Sequence, residues 1–153
     1  MPSEFIKRQK SDFFRDFSAL GSLWLYLLAV LIFFMFRNYM LLNKLAIGLV
    51  LMQSAVIIIR TFYFKERPNK YPYKSYIERI DASSFPSLHS ARITFLAIAF
   101  MNYYNEMIFS ILLAALAVIV MYSRIYLKKH DLKDVLAGAI LGAIVYFAVV
   151  WVL

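Results

Sequence analysis

The sequence predicts an all-α integral membrane protein, and three observations support this fold class. Hydrophobic residues make up 63% of the 153 residues and charged residues only 17%. The mean hydropathy of +0.68 is high for a soluble domain. The apolar runs have the length that a helix needs to cross a bilayer, about 20 residues, and they lack the alternation typical of barrel strands. We therefore expect one membrane domain, residues 1–153, built as a helical bundle.

Six helical segments are predicted along the chain. Residues 1–16 mix charged side chains with apolar residues at helical spacing, which is typical of an amphipathic helix lying in the membrane interface. Residues 17–153 are predicted to form a transmembrane bundle of five spans, with bounds at 17–36, 39–64, 86–104, 107–127 and 135–153. Gly138 and Gly142 in the last span form a small-residue face, which favours close packing inside the bundle over a dimer face. The sequence leaves the oligomeric state open.

Charges and helix breakers separate these spans. Arg37 ends the uncharged first span, and Pro68 follows the second, because proline lacks an N–H and restricts the residue before it. The third span opens at Pro86 after two serines, residue types that helix starts prefer. Asn105 and Glu106 separate the third span from the fourth. With five spans, the loops after the second and the fourth lie on the same side of the membrane, so we expect their residues to meet at one surface.

Composition also narrows the function classes. The net charge of +8 predicts an anionic partner, which for a membrane protein indicates phospholipid headgroups or a phosphorylated lipid rather than nucleic acid. The absence of cysteine excludes a thiolate nucleophile and a cysteine-based metal site. Two histidines without a His-Glu-x-x-His pattern argue against a catalytic zinc site, so we expect neither a metal nor another cofactor.

Two stretches near the second and third spans carry residues suited to an anion. Arg60 and Arg67 lie seven residues apart, about two helical turns, and so on one helix face. Residues 84–90, Ser-Phe-Pro-Ser-Leu-His-Ser, form a predicted helix start. The free N–H groups and positive dipole end of a helix start suit a phosphate.

A third stretch, residues 123–134, lies where the chain leaves and re-enters the bilayer. It contains Arg124, whose planar fork suits phosphate oxygens. His130 and Asp134 are four residues apart, so the carboxylate can hold one ring nitrogen and leave the other free as a nucleophile or base. A positively charged loop that contacts lipid headgroups is the alternative for this stretch taken alone.

Together the three stretches resemble the motifs of the type 2 phosphatidic acid phosphatases, which are metal-independent lipid phosphate phosphatases. The family motifs are Lys-x6-Arg-Pro, Pro-Ser-Gly-His and Ser-Arg-x5-His-x3-Asp. The matching segments here are Arg60-x6-Arg67-Pro68, Pro86-Ser87-Leu88-His89 and Ser123-Arg124-x5-His130-x3-Asp134. The resemblance covers roughly residues 60–142. Arginine replaces the family lysine at Arg60, which keeps the charge, and leucine replaces glycine at Leu88.

The resemblance implies hydrolysis in two steps through a phosphohistidine. His130 would be the nucleophile, Asp134 would orient it and stabilise its positive charge, and His89 would be the general acid and then the base. The residues implied to surround the phosphate are Arg60, Arg67, Ser87, Leu88 through its backbone N–H, and Arg124. Arg92, one turn beyond His89, is a candidate contact for a second phosphate or a headgroup, with an interface anchor as the alternative.

The resemblance therefore implies a membrane lipid phosphatase or diphosphatase. Candidate substrates are lipid A 1-phosphate, undecaprenyl pyrophosphate, phosphatidylglycerophosphate and phosphatidic acid. The alternative is a non-catalytic membrane protein that binds anionic lipid. We expect the cytoplasmic (inner) membrane as the location.

The side of the membrane that the site faces is predicted differently by two arguments. Only Arg37 and Lys44 of the 17 basic residues lie opposite the site, which by the positive-inside rule places the site in the cytoplasm. The resemblance to bacterial lipid phosphatases implies the extracytoplasmic side, and our expectation follows that resemblance.

Overall fold

The structure, a computed structural model, describes residues 2–70 and 72–153, and over these residues it contains seven α-helices and no β-strand. The helices are α1 (Pro2–Ala19), α2 (Leu23–Met35), α3 (Tyr39–Phe62), α4 (Tyr76–Ala82), α5 (Leu88–Tyr104), α6 (Met107–Tyr126) and α7 (Leu132–Val152). Met1, the first residue of the predicted interfacial segment, lies outside the described residues. The predicted all-α membrane class is confirmed.

Helix α5 lies at the centre of the bundle and packs against α7, α6, α3 and α2. Phe95 of α5 is fully buried, and its ring contacts those of Tyr26 on α2 and Tyr146 on α7. On another side, Ile93 packs with Val120 of α6 in a second apolar cluster. Because neighbouring helices enclose α5, its polar side chains are shielded from lipid.

Length and apolarity identify three helices able to cross a membrane by themselves, where the sequence predicted five spans. These are α3, α6 and α7, and α1 with α2 adds a fourth if this bent pair counts as one span. The predicted third span corresponds to α5, whose 17 residues extend about 26 Å. It contains His89 and Arg92, which lower its apolarity, and its position inside the bundle accommodates them.

The predicted span over residues 17–36 is not a single straight helix, because the helix breaks between α1 and α2 with a bend of 41°. Ser22 caps the new helix by accepting a hydrogen bond from the Leu25 N–H. At Gly21, a Cβ atom would lie only 3.1 Å from the Cβ and carbonyl oxygen of His89. The break therefore lets the chain pass close to the start of α5.

The small-residue face of α7 packs inside the bundle, as predicted. A Cβ atom on Gly138 would lie 2.2 Å from the carbonyl oxygen of Ser87, and one on Gly142 would lie 2.3 Å from that of Ala91. Both glycines therefore let α7 contact the backbone of α5, and Gly138 does so at the start of α5.

The N-terminal helix α1 lies against the end of α6. Phe14 contacts the rings of Tyr122 and Tyr126, with centroids 5.5 and 4.3 Å away. Phe5 and Phe13 on other faces of α1 are exposed, as are the basic side chains of its first half. The helix is amphipathic as expected, and its location in the membrane interface stays a prediction.

Candidate active site

A cavity of about 390 Å³ lies at the end of the bundle where α3 and α6 end and α5 begins. Because α3 and α6 end where α5 and α7 start, residues far apart in the sequence meet there. The lining residues are Leu23, Gln53, Arg60, Arg67, Asp81, Leu88, His89, Arg92, Arg124, Lys129 and His130. The cavity therefore brings together residues from all three stretches identified in the sequence.

His130 is buried, and its ring has a defined hydrogen-bond partner. Its Nδ1 atom lies 2.7 Å from the carbonyl oxygen of Ser84. A carbonyl oxygen can only accept a hydrogen bond, so Nδ1 carries the proton and donates it. The neutral ring then has its lone pair on Nε2. The backbone N–H of His130 donates to the carbonyl oxygen of Arg124, 3.2 Å away, which holds the turn after α6.

Asp134 does not make the hydrogen bond to the ring that the sequence predicted. Its Oδ2 atom lies 3.8 Å from Nδ1 of His130, beyond hydrogen-bond range, and the Ser84 carbonyl takes the expected place. The Asp134 side chain is fully buried and accepts hydrogen bonds from Lys65 Nζ at 2.7 Å and from the Asp131 N–H at 3.0 Å. The carboxylate therefore acts on the imidazole through its charge.

The surroundings of His130 and Lys65 set their charge states in opposite ways. Burial lowers the pKa of His130 below its ordinary value of 6.5, and the positive charge of Arg124 adds to this while Asp134 opposes it. Partial burial alone would lower the pKa of Lys65, but hydrogen bonds to Asp131 and Asp134 outweigh it and raise the pKa above 10.5. At neutral pH the His130 imidazole is therefore uncharged, while the Lys65 ammonium is charged.

Arg60, at the end of α3, is 5% exposed and is held by two carbonyl oxygens. Its Nη1 donates to Ile80 at 3.1 Å and its Nη2 to Pro86 at 3.0 Å. These bonds tie α3 to α4 and to the segment before α5. The guanidinium is thus fixed in place at the wall of the cavity.

Arg67 and Arg124 reach the cavity from other directions. Arg67 follows α3 and donates from Nη2 to the carbonyl oxygen of Asp81. Arg124, near the end of α6, is 5% exposed and donates from Nη1 to the hydroxyl of Ser18 on α1. The N-terminal helix therefore positions one of the predicted phosphate-binding residues.

Three of the arginines at the cavity present a buried donor that is not hydrogen-bonded to any part of the chain that the structure describes. These are the Nε atoms of Arg60, Arg92 and Arg124. A buried donor without an acceptor costs free energy, typically about 1–3 kcal/mol. An anion with several oxygen atoms would satisfy such donors and neutralise their charge.

The start of α5 contributes less to the cavity than the sequence predicted. Ser87 is fully buried, and its hydroxyl accepts hydrogen bonds from the N–H and the hydroxyl of Ser90. Its own N–H donates to the carbonyl oxygen of Asp134 at 2.9 Å. Ser87 does not line the cavity, whereas Leu88 and His89 do. Their N–H groups belong to the first helical turn, which lacks acceptors within the helix.

Four residues that hold the predicted ones in place were not among the candidates from the sequence. These residues are Ser18, Gln53, Lys65 and Ser84. One signal was present, since Asp131 and Asp134 have the spacing of a capping box, and the structure contains that box at the start of α7. This pattern would have indicated that the Asp134 carboxylate has hydrogen-bond partners other than the histidine.

The chemistry of the lining suits an anion. Of the residues that the structure describes, five basic ones line the cavity and only one acidic one, Asp81, does; the basic ones are Arg60, Arg67, Arg92, Arg124 and Lys129. Within residues 2–70 and 72–153, no group of three or more His, Asp or Glu residues could hold a metal ion.

Comparison with known proteins gives three kinds of similarity. A profile described as the PAP2 superfamily matches residues 41–153. Lipid phosphate phosphatase gamma of Arabidopsis thaliana is 33% identical over 115 residues, which cover 68% of this chain and 50% of that protein. The chain thus spans about half the length of this curated relative.

Two solved structures share the fold. LpxE of Aquifex aeolicus aligns with a TM-score of 0.78 and 25% identity, covering 94% of this chain and 86% of that one. The first transmembrane PAP2 type phosphatidylglycerolphosphate phosphatase, from Bacillus subtilis, aligns with a TM-score of 0.71 and 22% identity, covering 94% and 76%. The second likeness bears on the fold alone.

Proposed function

Because this chain belongs to the PAP2 superfamily, we propose that it is a membrane lipid phosphatase that works without a metal ion, through a phosphohistidine. The observation that supports this most directly is the state of His130. Its Nδ1–H donates a hydrogen bond to the Ser84 carbonyl oxygen, so the lone pair is on Nε2, at a cavity lined by arginines. A neutral, oriented imidazole beside an anion-binding cavity is what nucleophilic attack on a phosphate requires.

In the first step, Nε2 of His130 attacks the phosphorus atom and the bond from phosphorus to the lipid oxygen breaks. The electron pair of that bond goes to the lipid oxygen, and His89 supplies the proton. Phosphoryl transfer depends mainly on positioning and on neutralising charge over the equatorial oxygens. The donors for this are the guanidinium groups of Arg60, Arg67 and Arg124 with the backbone N–H of Leu88.

In the second step, a water molecule attacks the phosphohistidine and gives a proton to His89, and orthophosphate leaves. The N–P bond to His130 breaks, and its electron pair returns to Nε2. The Asp134 carboxylate, 3.8 Å from the ring, stabilises the positive charge that the imidazole carries between the two steps. Lys65 and Asp131 keep this carboxylate ionised and fixed.

The substrate class that we propose is a phosphorylated membrane lipid whose phosphate lies at headgroup depth. The four lipids named from the sequence are all candidates. A soluble phosphate ester would not need a site at the end of apolar helices, so lipids in detergent micelles are the test substrates.

The test measures inorganic phosphate released from each of these lipids by the purified protein. Wild type should be active in EDTA and inhibited by vanadate, a mimic of the pentacoordinate phosphate. His130→Ala should abolish turnover, and His89→Ala should lower it by about 100 to 10,000-fold. Lys44→Gln, on α3 far from the cavity, is the matched control and should match wild type. Release by His130→Ala at the wild-type rate would show that the mechanism is wrong, whereas no release by wild type from any of these lipids would favour the non-catalytic alternative.

We further propose the cytoplasmic (inner) membrane, with the cavity facing its extracytoplasmic side. The chain lacks cysteine, so a single Cys in place of the exposed Asn69 reports on this side. A Cys in place of Glu106, exposed between α5 and α6, reports on the opposite side. In intact cells a membrane-impermeant maleimide should label Asn69→Cys and not Glu106→Cys. The reverse pattern would place the site in the cytoplasm, as the charge rule predicts.

A further inference from the structure

Arg92 lies at the cavity but belongs to none of the three motifs. It follows His89 by three residues on α5, which places it about 4.5 Å farther along the helix axis, toward the interior of the bundle. The residue is 5% exposed and lines the cavity. Burying a basic side chain at this depth costs free energy, so such a residue usually has a partner or a function.

The contacts of Arg92 hold it without neutralising it. Its Nη2 donates to Oε1 of Gln53 on α3 at 2.9 Å. Its Nε is buried and has no hydrogen-bond partner within the described part of the chain. None of the ion pairs found among residues 2–70 and 72–153 includes Arg92. The Arg92 side chain is therefore a fixed, buried positive charge whose Nε–H can still donate a hydrogen bond.

The position of this charge relates it to the leaving group. His130 lies in the loop before α7, at the outer side of the phosphate site, and Arg92 lies deeper between α5 and α3. In an in-line displacement the leaving oxygen is opposite the nucleophile. A lipid that enters from the bilayer also places its leaving group on the inner side. A substrate bound in this orientation would have its departing part next to Arg92.

We propose that Arg92 and Gln53 form a second anion subsite, which binds the lipid-linked phosphate of a lipid diphosphate; this rests on the function proposed above. Nε2 of His130 bonds to the terminal phosphorus while the bridging P–O bond breaks. The electron pair of that bond stays on the departing lipid monophosphate, next to Arg92. Water then releases the terminal phosphate as orthophosphate. A phosphate leaving group gains negative charge in this step, and a buried guanidinium stabilises such charge strongly.

The other role for this pair is structural, because the Arg92–Gln53 hydrogen bond also ties α5 to α3. A structural role would affect every substrate alike, whereas a second subsite affects only substrates with a second phosphate. Two lipids with the same hydrocarbon chain, one a monophosphate and the other a diphosphate, separate these roles.

The variant Arg92→Gln removes the charge and keeps an amide that can bond to Gln53. Wild type should have a higher kcat/KM for the diphosphate than for the monophosphate. Arg92→Gln should lower kcat/KM for the diphosphate by about 10 to 100-fold more than kcat/KM for the monophosphate, the effect of one lost charged hydrogen bond. Lys44→Gln should change neither. An equal loss on both substrates, or a wild-type preference for the monophosphate, overturns the proposal.

A binding measurement tests the subsite without turnover. Inorganic pyrophosphate should raise the unfolding temperature of detergent-solubilised wild type more than orthophosphate does at equal concentration, because a bound ligand stabilises the folded state. In Arg92→Gln the two anions should stabilise equally. If wild type hydrolyses no lipid but keeps the pyrophosphate effect, the proposed function fails and the subsite stands. If pyrophosphate and orthophosphate stabilise wild type equally, the subsite fails whether or not the protein is a phosphatase.

Discussion

Substituting Gly138 by alanine tests how α7 positions the start of α5. The new Cβ would lie 2.2 Å from the carbonyl oxygen of Ser87, whereas ordinary contacts begin at 3.4 Å. Because this oxygen is part of the backbone, it cannot rotate away, and the two helices must separate by about 1 Å. Overpacking of this kind costs about 1–3 kcal/mol. The higher helix propensity of alanine returns about 1 kcal/mol, so the net loss of stability should be about 0–2 kcal/mol.

The effect on activity should be larger than the effect on stability. The N–H of Ser87 donates to the carbonyl oxygen of Asp134, so a separation there moves Leu88 and His89 away from His130. Displacement of a catalytic group by about 1 Å can cost about 100-fold in rate. We therefore expect Gly138→Ala to fold and to lose most of its kcat.

The matched control is Gly142→Ala, one helical turn deeper on α7. Its Cβ would lie 2.3 Å from the carbonyl oxygen of Ala91, so the clash is nearly the same, but it is farther from His130. Both variants should show similar unfolding temperatures in detergent, and Gly142→Ala should keep more kcat in the phosphate-release assay. Wild-type kcat in Gly138→Ala, or equal losses of kcat in the two variants, would refute this reasoning.

Three further predictions concern groups around the cavity. Lys65→Met removes a partner of the buried Asp134 carboxylate and should cost about 1–3 kcal/mol of stability, measured as a lower unfolding temperature. The control Lys70→Met, in the exposed pair with Glu66, should change the unfolding temperature little. Equal unfolding temperatures of the two variants would contradict this. Because the pKa of His130 lies below 6.5 and the neutral form attacks, kcat/KM should fall as the pH drops through that pKa. After correction for titration of the substrate, the acid limb of the pH profile should have its midpoint below pH 6.5. A midpoint above pH 6.5 would count against His130 as the nucleophile. Ser18→Ala removes the hydroxyl that holds the Arg124 guanidinium at the cavity and should lower kcat/KM by about 10-fold. A lower unfolding temperature with unchanged kcat/KM would show that the role of Ser18 is structural only.

Local patterns in the sequence were sufficient for the helical class and for part of the cavity lining. Apolar runs of spanning length predict helices because lipid cannot satisfy backbone hydrogen bonds. Reversal of direction at each turn then predicts that Arg60, His89 and His130 meet at one end of the bundle. The cavity contains all three. These predictions succeed because periodicity, length and helix breakers act over a few residues at a time.

The same patterns could not show where the first span breaks. Residues 17–36 are uncharged, and apolarity alone predicts one helix. The break lies at Gly21 because α5 approaches there, with the His89 backbone and Cβ in contact range. Gly21 and the capping residue Ser22 permit a break, but the packing of α5 against this position is what explains the bend there.

The sequence by itself determined that Arg60, His89 and His130 meet at one end of the bundle. Only the tertiary structure decided which partners hold such side chains. His130 bonds to Ser84, 46 residues away, Asp134 bonds to Lys65, and Arg124 bonds to Ser18 across 106 residues. None of these pairs has a helical or strand spacing that a pattern could reveal. Burial removes water as a hydrogen-bond partner, so each polar group must take whichever donor or acceptor the packed bundle brings within reach. That choice depends on the positions of whole helices, which the folded chain sets and no local stretch contains.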